Sequence, residues 1–317
     1  MAHRDDPHRI GILVYPGAQM SAVHGLTDLL EVANRLRAER RSPSAPLEVH
    51  CFRAEDGPPA PSAPLTALVL PPAIGYAVPP AQAAPLAAWT AARHAEGTLL
   101  CSVCAGAFLL AETGLLSGRP ATTHWAAADR FAARFPDVAL DTDELIIDDG
   151  DIVTAGGLMA WVDLGLRLID RLIGPAIMQM TARYFLVDPG GREQRFYSTF
   201  APHMTHGDAA ILKVQRWLQP RSKEKITLPG MAAQAGLGER TFLRRFQKAT
   251  GLKPTQYLQH LRVGKARDML ELSALSVDEI AWRVGYEDPG AFRKIFQRVM
   301  GLSPGEYRRR FAVRRGG

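Results

Sequence analysis

No lysine occurs before position 213; the sixteen basic residues of positions 1–206 are all arginine. Cysteine is scarce, with three in 317 residues. An odd and sparse set fits a reducing compartment better than a disulfide framework. No run approaches the ~18 apolar residues that a membrane-spanning helix needs, so no membrane partner is expected. Met1 to Arg9 is charged and has no apolar stretch, so no signal peptide is expected and a cytoplasmic location follows.

Charge is divided along the chain. Positions 207–317 hold 22 Lys and Arg against 10 Asp and Glu, a net +12, whereas positions 1–206 hold 16 against 22, a net −6. Such a split implies a polyanion partner for the basic part alone. The acidic part is repelled from phosphate and is expected to do a different job.

The basic part contains a copied pattern. Phe242, Phe246, Gln247, Gly251, Leu252, Pro254 and Tyr257 recur fifty positions later as Phe292, Phe296, Gln297, Gly301, Leu302, Pro304 and Tyr307. Each copy sets a small-residue turn before a basic amphipathic helix, the pattern of a helix-turn-helix. In the first, Gly236-Leu237-Gly238 is the turn and Glu239 to Thr250 the second helix. Phe242 and Phe246, at i and i+4, share its buried face, while Arg240, Arg244 and Lys248 lie on another face. A long helix from about Thr255 to Leu272 connects the copies. In the second, Val277 to Val284 precedes the turn Gly285-Tyr286-Glu287, and Asp288-Pro289 is a cap followed by a first-turn proline. Pro289 and Gly290 leave the tip of this helix small, with Arg293, Lys294, Gln297 and Arg298 turned from the phenylalanines.

The run IAWRVGYEDPGAFRKIFQRVMGLSPGEYRRRF, Ile280 to Phe311, closely resembles the second helix-turn-helix of the AraC-type transcription regulators. The upstream copy stands where that family has its first. The resemblance implies an all-α tandem helix-turn-helix domain that places two helices in successive major grooves of double-stranded DNA. Bases would be read by Arg240, Leu243, Arg244, Arg293 and Lys294, with Pro289 and Gly290 at the groove. Lys248 and Arg298 would mostly position phosphates. Many relatives carry polar residues at the tip of the second helix and this chain does not, so the first unit is expected to carry most of the discrimination.

The acidic part alternates apolar runs with helical stretches. Ile10 to Tyr15, Leu47 to Phe52, Ala67 to Leu70, Thr98 to Val103 and Ile152 to Ala155 read as buried strands. Leu26–Arg37, Pro85–His94, Gly106–Thr113 and Met159–Leu172 read as helices. The alternation predicts an α/β domain built on a parallel sheet with its ligand at the carboxyl ends of the strands. At one such end, Leu99 to Val103 leads into Cys104-Ala105-Gly106-Ala107 and a helix. A strand, one nucleophilic residue, tiny residues and a helix have the general form of a nucleophile elbow. The helix start is expected to favour the Cys104 thiolate, and His124 follows twenty positions on. Cys101 also forms C-x-x-C with Cys104, but one pair cannot complete a zinc site. Cys101 belongs inside the strand as a small buried hydrophobe, and no metal or cofactor is expected.

The stretch Cys101 to Trp125 resembles the DJ-1/PfpI branch of the glutamine-amidotransferase-like superfamily. It is most similar to the GlxA-like form fused to AraC-type DNA-binding domains. This implies a flavodoxin-like, DJ-1/PfpI-type parallel-sheet domain over residues 1–205, followed by the DNA-binding domain over 206–317. Cys104 matches the superfamily's elbow cysteine and His124 the histidine after it. Catalytic versions add a carboxylate from the loop after the first strand. Here that loop reads Pro16-Gly17-Ala18-Gln19-Met20-Ser21, without Asp or Glu. Where relatives tend to have a glycine-rich turn, this chain has Leu70-Pro71-Pro72-Ala73-Ile74-Gly75. The domain is therefore expected to sense a small-molecule effector without turnover, at a pocket formed by Cys104, Ala105, His124, Gly17, Gln19 and Gly75. No catalytic residue is assigned. The alternatives are a cysteine-dependent amidase, hydrolase or glyoxalase-type enzyme with a DNA-binding appendage, and a ligand-free dimerisation platform. The resemblance also implies a homodimer, with the apolar helix at Leu26–Leu36 either its contact or simply core. The turn-rich Val187 to Arg192 and the polar stretch after it place the domain boundary near 205.

Overall fold

The strands at the centre of the first half are short apolar runs with no polar face, which suits a sheet covered on both sides. A computed structural model describes residues 6–54, 64–75, 80–190, 193–198, 200 and 202–312, with the backbone alone at Pro80 and Ala81. Gly191 and Arg192 of the expected linker, and the first five residues of the charged N-terminus, lie outside the described residues. The chain divides into two compact units, Met1–Gln194 and Arg195–Gly317.

The first unit runs β1 His8–Val14, α1 Met20–Glu39, β2 Leu47–Arg53, β3 Ala67–Leu70, α2 Pro80–Ala95, β4 Leu99–Val103 and α3 Gly106–Ala111. It continues through β5 Pro120–Ala121, α4 Ala128–Arg134, β6 Ala139–Leu140, β7 Ile146–Asp148, β8 Ile152–Ala155, α5 Trp161–Leu172 and α6 Pro175–Tyr184. Six strands form one sheet in the order β2-β1-β3-β4-β8-β7, parallel except for β7. Strands β5 and β6 make a separate parallel pair.

Alternation along the strands sorts side chains between two cores. Ile10, Ile12, Val69, Cys101, Val103 and Val153 face α1, α5 and α6. Leu13, Leu68, Leu70, Leu100 and Ile152 face α2, α3 and α4. Glycines permit the closest approaches. A Cβ on Gly25 would lie 2.4 Å from the Trp161 ring, and one on Gly165 2.3 Å from Leu29. Leu26, Leu29 and Leu30 are thereby buried against α5 and α6, so the apolar stripe of α1 is core and not a dimer contact.

In the second unit the helices are α7 Ala209–Arg221, α8 Leu228–Ala235, α9 Glu239–Thr250, α10 Pro254–Leu272, α11 Val277–Arg283, α12 Pro289–Met300 and α13 Pro304–Phe311. The copied sequence pattern is the packing pattern. Phe246 meets Phe242 and Tyr257 at ring distances of 5.3 Å each; Phe296 meets Phe292 at 5.7 Å and Tyr307 at 5.6 Å. Gly251 and Gly301 end α9 and α12 with φ of +74°, and Pro254 and Pro304 each open the following helix. The first half of α10 gives Tyr257 and Leu258 to one core; its second half gives Val263, Ala266 and Leu270 to the other. One rigid helix therefore belongs to both cores.

Residues just before 206 are attached to this helical unit. Phe200 packs on Tyr257 at 5.1 Å, and Arg267 Nη1 donates to the Ser198 carbonyl at 2.9 Å. Gln215, fully buried, donates to the His203 carbonyl at 3.0 Å and to Tyr257 Oη at 3.2 Å. The compact units thus part at 194/195, eleven positions before the division expected from turn composition. Turn residues show where a chain bends, not which core its side chains join.

The elbow turn supplies a test of close packing. A Cβ on Gly106 would stand 2.3 Å from the Leu70 carbonyl oxygen, a backbone atom with no freedom to yield. Gly106→Ala is expected to cost about 1–3 kcal/mol of stability, seen as a lower urea midpoint of the full chain. An unchanged midpoint would show that β3 and α3 are less tightly seated than described.

Candidate functional site

Four loops converge at the carboxyl ends of the strands. Cys104 follows β4 with φ of +53°, a left-handed conformation rare outside glycine. The turn is held from both sides: Cys104 N–H donates to the Ala155 carbonyl at 2.7 Å, and Thr123 Oγ1 donates to the Cys104 carbonyl at 2.7 Å. The loop after β1 joins the loop after β3 through Gln19 N–H to Pro72 O at 2.7 Å and Ile74 N–H to Gly17 O at 2.9 Å. Tyr15 Oη donates to the Pro71 carbonyl, and Leu70 and Pro71 lie against Gly106. Prolines have no N–H, so at Pro71 and Pro72 this segment offers carbonyls where a glycine-rich turn would offer donors. Gly17 and Gly75 adopt φ of +83° and +101° in these loops.

The sulfur environment reverses one expectation. Burial pushes the Cys104 thiol up to about 11, outweighing the N–H of Ala105, the charge of Arg130 and the N–H of Gly157, which all pull it down. Helix α3 is six residues long, too short to offset the loss of water around a side chain 6% exposed. At neutral pH Cys104 is a thiol, not a thiolate. Cys101, fully buried in β4, is pushed up to about 12 by burial. All three cysteines are free, and Cys51 is exposed.

Among the described residues Cys104 and His124 share no hydrogen bond. His124 Nδ1 accepts from Ala126 N–H at 3.1 Å, capping a short turn, and burial lowers its pKa. Thr123, one position before, is the residue that reaches the elbow. Gln19 is 7% exposed and its Nε2 donates to Ser21 Oγ at 2.8 Å. No described group donates to Gln19 Oε1. Sequence reasoning missed Tyr15, Thr123, Arg130, Gly157 and Gln194. Gln194 is buried and clasps this segment: Nε2 donates to Thr122 Oγ1 and Thr123 O at 2.9 Å, and Oε1 accepts from Trp125 N–H at 3.1 Å. Seventy-two positions separate it from Thr122, so no local pattern announced it. A depression of about 290 Å³ lies elsewhere, lined by Glu144, Asp163, Arg167 and Asp170 among others. Its Arg167 is already paired with Asp148 at 2.9 Å and Asp170 at 3.6 Å, so the elbow remains the better candidate on chemistry.

On the helical unit, the residues expected to meet DNA lie on the exposed sides of α9 and α12. Arg240, Leu243, Arg244 and Lys248 are exposed on α9, opposite buried Phe242 and Phe246. Arg293, Lys294 and Arg298 are exposed on α12, while Pro289 and Gly290 are half-buried at its tip. Asp288 caps that tip, accepting from Gly290 N–H at 2.8 Å and Ala291 N–H at 3.0 Å. Arg293 is not free, because its guanidinium donates to Asp278 of α11. Arg245, next to exposed Arg244, instead forms a two-pronged pair with Asp208 at 2.9 and 2.7 Å.

Residues 62–171 match the DJ-1/PfpI family and residues 231–310 match a helix-turn-helix domain family. The chain is 28% identical over 224 residues to the HTH-type transcriptional regulator CdhR of Pseudomonas aeruginosa, covering 70% of this chain and 66% of that one. It is 28% identical over 218 residues to the HTH-type transcriptional regulator GlxA of Rhizobium meliloti, covering 68% and 66%. These matches span just under two thirds of the regulators' own length. A crystal structure of the DNA-binding domain of AdpA with a target DNA is 40% identical, covering 33% of this chain and 96% of that one, with a TM-score of 0.32. The chain joins a DJ-1/PfpI domain to an AraC-type helix-turn-helix domain. Relatives matched along both are named as transcription regulators.

With its thiol raised from 9.0 to about 11, Cys104 carries roughly 100-fold less thiolate near neutral pH than an unperturbed cysteine. Timed iodoacetamide labelling of the native protein, read by mass spectrometry, should modify exposed Cys51 well before Cys104. Labelling of Cys104 should accelerate as pH rises from 9 towards 11. Equal rates at pH 7.5 would contradict the buried neutral thiol.

Proposed function

We propose that this protein is a DNA-binding transcription regulator, with its first unit sensing a small-molecule effector at the Cys104 elbow. The observation that carries the reading is the pair of exposed basic faces on α9 and α12, coupled through α10, which belongs to both cores. Arg240, Leu243, Arg244 and Lys294 read base edges, and Lys248 and Arg298 hold phosphates. Arg293 contributes less, since it must first leave Asp278. Pro289 and Gly290 admit the tip of α12 to the groove without adding hydrogen bonds to bases. The protein acts in the cytoplasm as a homodimer. The effector shifts the arrangement of the paired DNA-binding domains by binding one arrangement more tightly than the other.

The elbow binds without turnover. A neutral Cys104, a His124 engaged in its own turn, and Gln19 in place of a carboxylate leave no base to activate the sulfur. Ala105, Gly17 and Gly75 shape the pocket rather than react. Amide hydrolysis and glyoxalase assays should therefore show no rate above background. A rate abolished by Cys104→Ala would restore the enzyme reading.

On duplexes selected from a randomised pool, Arg244→Ala and Arg240→Ala should each cost about 1–3 kcal/mol, roughly 5- to 150-fold in affinity, and relax sequence preference. Lys248→Ala should weaken all duplexes alike and reduce the slope of log affinity against log salt by about one. Fluorescence anisotropy across a salt series measures both effects. A salt-independent affinity would contradict the assignment of this surface to DNA.

A further inference from the structure

The two edges of the first unit's sheet are finished differently. Strand β7 forms one edge with three residues, while β2 forms the other with seven, Leu47–Arg53. Sheets commonly blunt a long edge with lysine, with proline or with a covering segment. Leu47 to Arg53 contains neither lysine nor proline. An unpaired edge of this length is a template for another strand.

Bond directions show which backbone groups are open. Strand β2 runs parallel to β1 with Leu47 opposite His8, and His8 N–H donates to the Pro46 carbonyl at 2.8 Å. In a ladder the N–H and C=O of one residue point to the same side, and successive residues alternate sides. Glu48, His50 and Phe52 therefore face β1, and Leu47, Val49, Cys51 and Arg53 face the outer edge. Leu47 is already blocked, because Asn34 Oδ1 accepts its N–H at 2.8 Å and Asn34 Nδ2 donates to its carbonyl at 2.6 Å. Among the described residues, nothing bonds to the outward N–H and C=O of Val49, Cys51 and Arg53.

We propose that this edge pairs with the same edge of a second copy, joining two six-stranded sheets into one. The assignment rests on the homodimer reading and gives that dimer its contact. A two-fold axis makes the identical strands antiparallel and closes the assembly as a dimer. Only the register centred on Cys51 sets every open residue against an open residue. Val49 then lies against Arg53 of the second copy, Cys51 against Cys51, and Leu47 keeps Asn34. Each such pair exchanges both backbone bonds, with Cα atoms about 5.5 Å apart. Between them, exposed His50 faces half-buried Phe52 of the second copy at about 4.5 Å. Ring contacts at that position add to the pairing.

The test uses the full chain, its dimer dissociation constant measured by sedimentation over a dilution series. Cys51→Pro removes an outward N–H, so the β1 ladder is kept while the central bonds between copies are lost. Cys51→Lys sets like charges directly opposite at the axis. Each should raise the dissociation constant about tenfold or more, and thermal melts check that each variant is folded. Side chains stand perpendicular to the ladder, so the Cys51 thiol stays reachable in the dimer. A short bismaleimide should link two native chains through it, and Cys51→Ser should lose the link while remaining dimeric. Should Cys51→Pro fail to fold, Cys51→Lys and the crosslink decide. If the native chain is a dimer that Cys51→Lys does not weaken, the edge pairing is overturned and the homodimer reading stands. If the native chain is a monomer at every concentration, both fall.

Discussion

Two phenylalanines one turn apart, closed by a tyrosine from the following helix, are the contact on which the helical unit depends. In α9 the pair is Phe242 and Phe246 with Tyr257; in α12 it is Phe292 and Phe296 with Tyr307. Ring burial dominates the local energetics, and it fixes the rotation of each helix about its own axis. Once the phenylalanines face inward, the 3.6-residue period turns Arg240, Arg244 and Lys248 outward in one helix, and Lys294 and Arg298 in the other. The tyrosines also couple the contact to polar groups: Tyr257 accepts from buried Gln215, and Tyr307 donates to Glu271 at 2.6 Å. The basic surface is thus a consequence of aromatic packing, with charge composition filling the face that packing leaves free.

The first unit has the geometry of a nucleophile elbow with a buried sulfur at its tip. The strained φ of Cys104 is maintained by bonds to Ala155 and Thr123, so the turn is over-determined by its surroundings. Burial holds the sulfur protonated, Pro71 and Pro72 offer no backbone donors, and the loop Pro16 to Ser21 holds no carboxylate. What remains is a turn held from both sides, joined through the backbone to the loop that carries buried Gln19. Affinity at a site of this kind depends on groups already held in place before the ligand arrives.

The main strands were legible because each is an apolar run bounded by turn residues, and Ala67–Leu70 and Ile152–Ala155 agree to the residue. The recognition helix Glu239–Thr250 was equally clear, with phenylalanine spacing and Gly251 setting its end. Elements without such punctuation were lost. Strand β7, half exposed and three residues long, has no core-facing period of its own, and the two-residue strands β5 and β6 have none either. Helix α6 did carry a signal, Gly174 before Pro175, that went unused. In the candidate site, Cys104 and Gln19 could be found from their places after apolar strands. Gly157, two positions after the apolar strand β8, carried the same signal; Arg130 and Gln194 did not, because nothing in the local sequence marks a residue whose role comes from a segment brought alongside.

By itself the sequence determined the order of the two domains, the copied aromatic framework, the confinement of lysine to the second half, and the loss of a carboxylate near the elbow. These are properties of residue type and short-range spacing, which helical and strand periods translate directly into faces. Tertiary structure alone decided that the Cys104 thiol stays neutral, that Arg293 is paired with Asp278, and that α1 is core. It also decided that Gln194 clasps the segment before His124. Each of these depends on distance through space between groups far apart in the chain. Desolvation, ion pairing and packing all act over a few ångströms, and only the folded chain sets those separations.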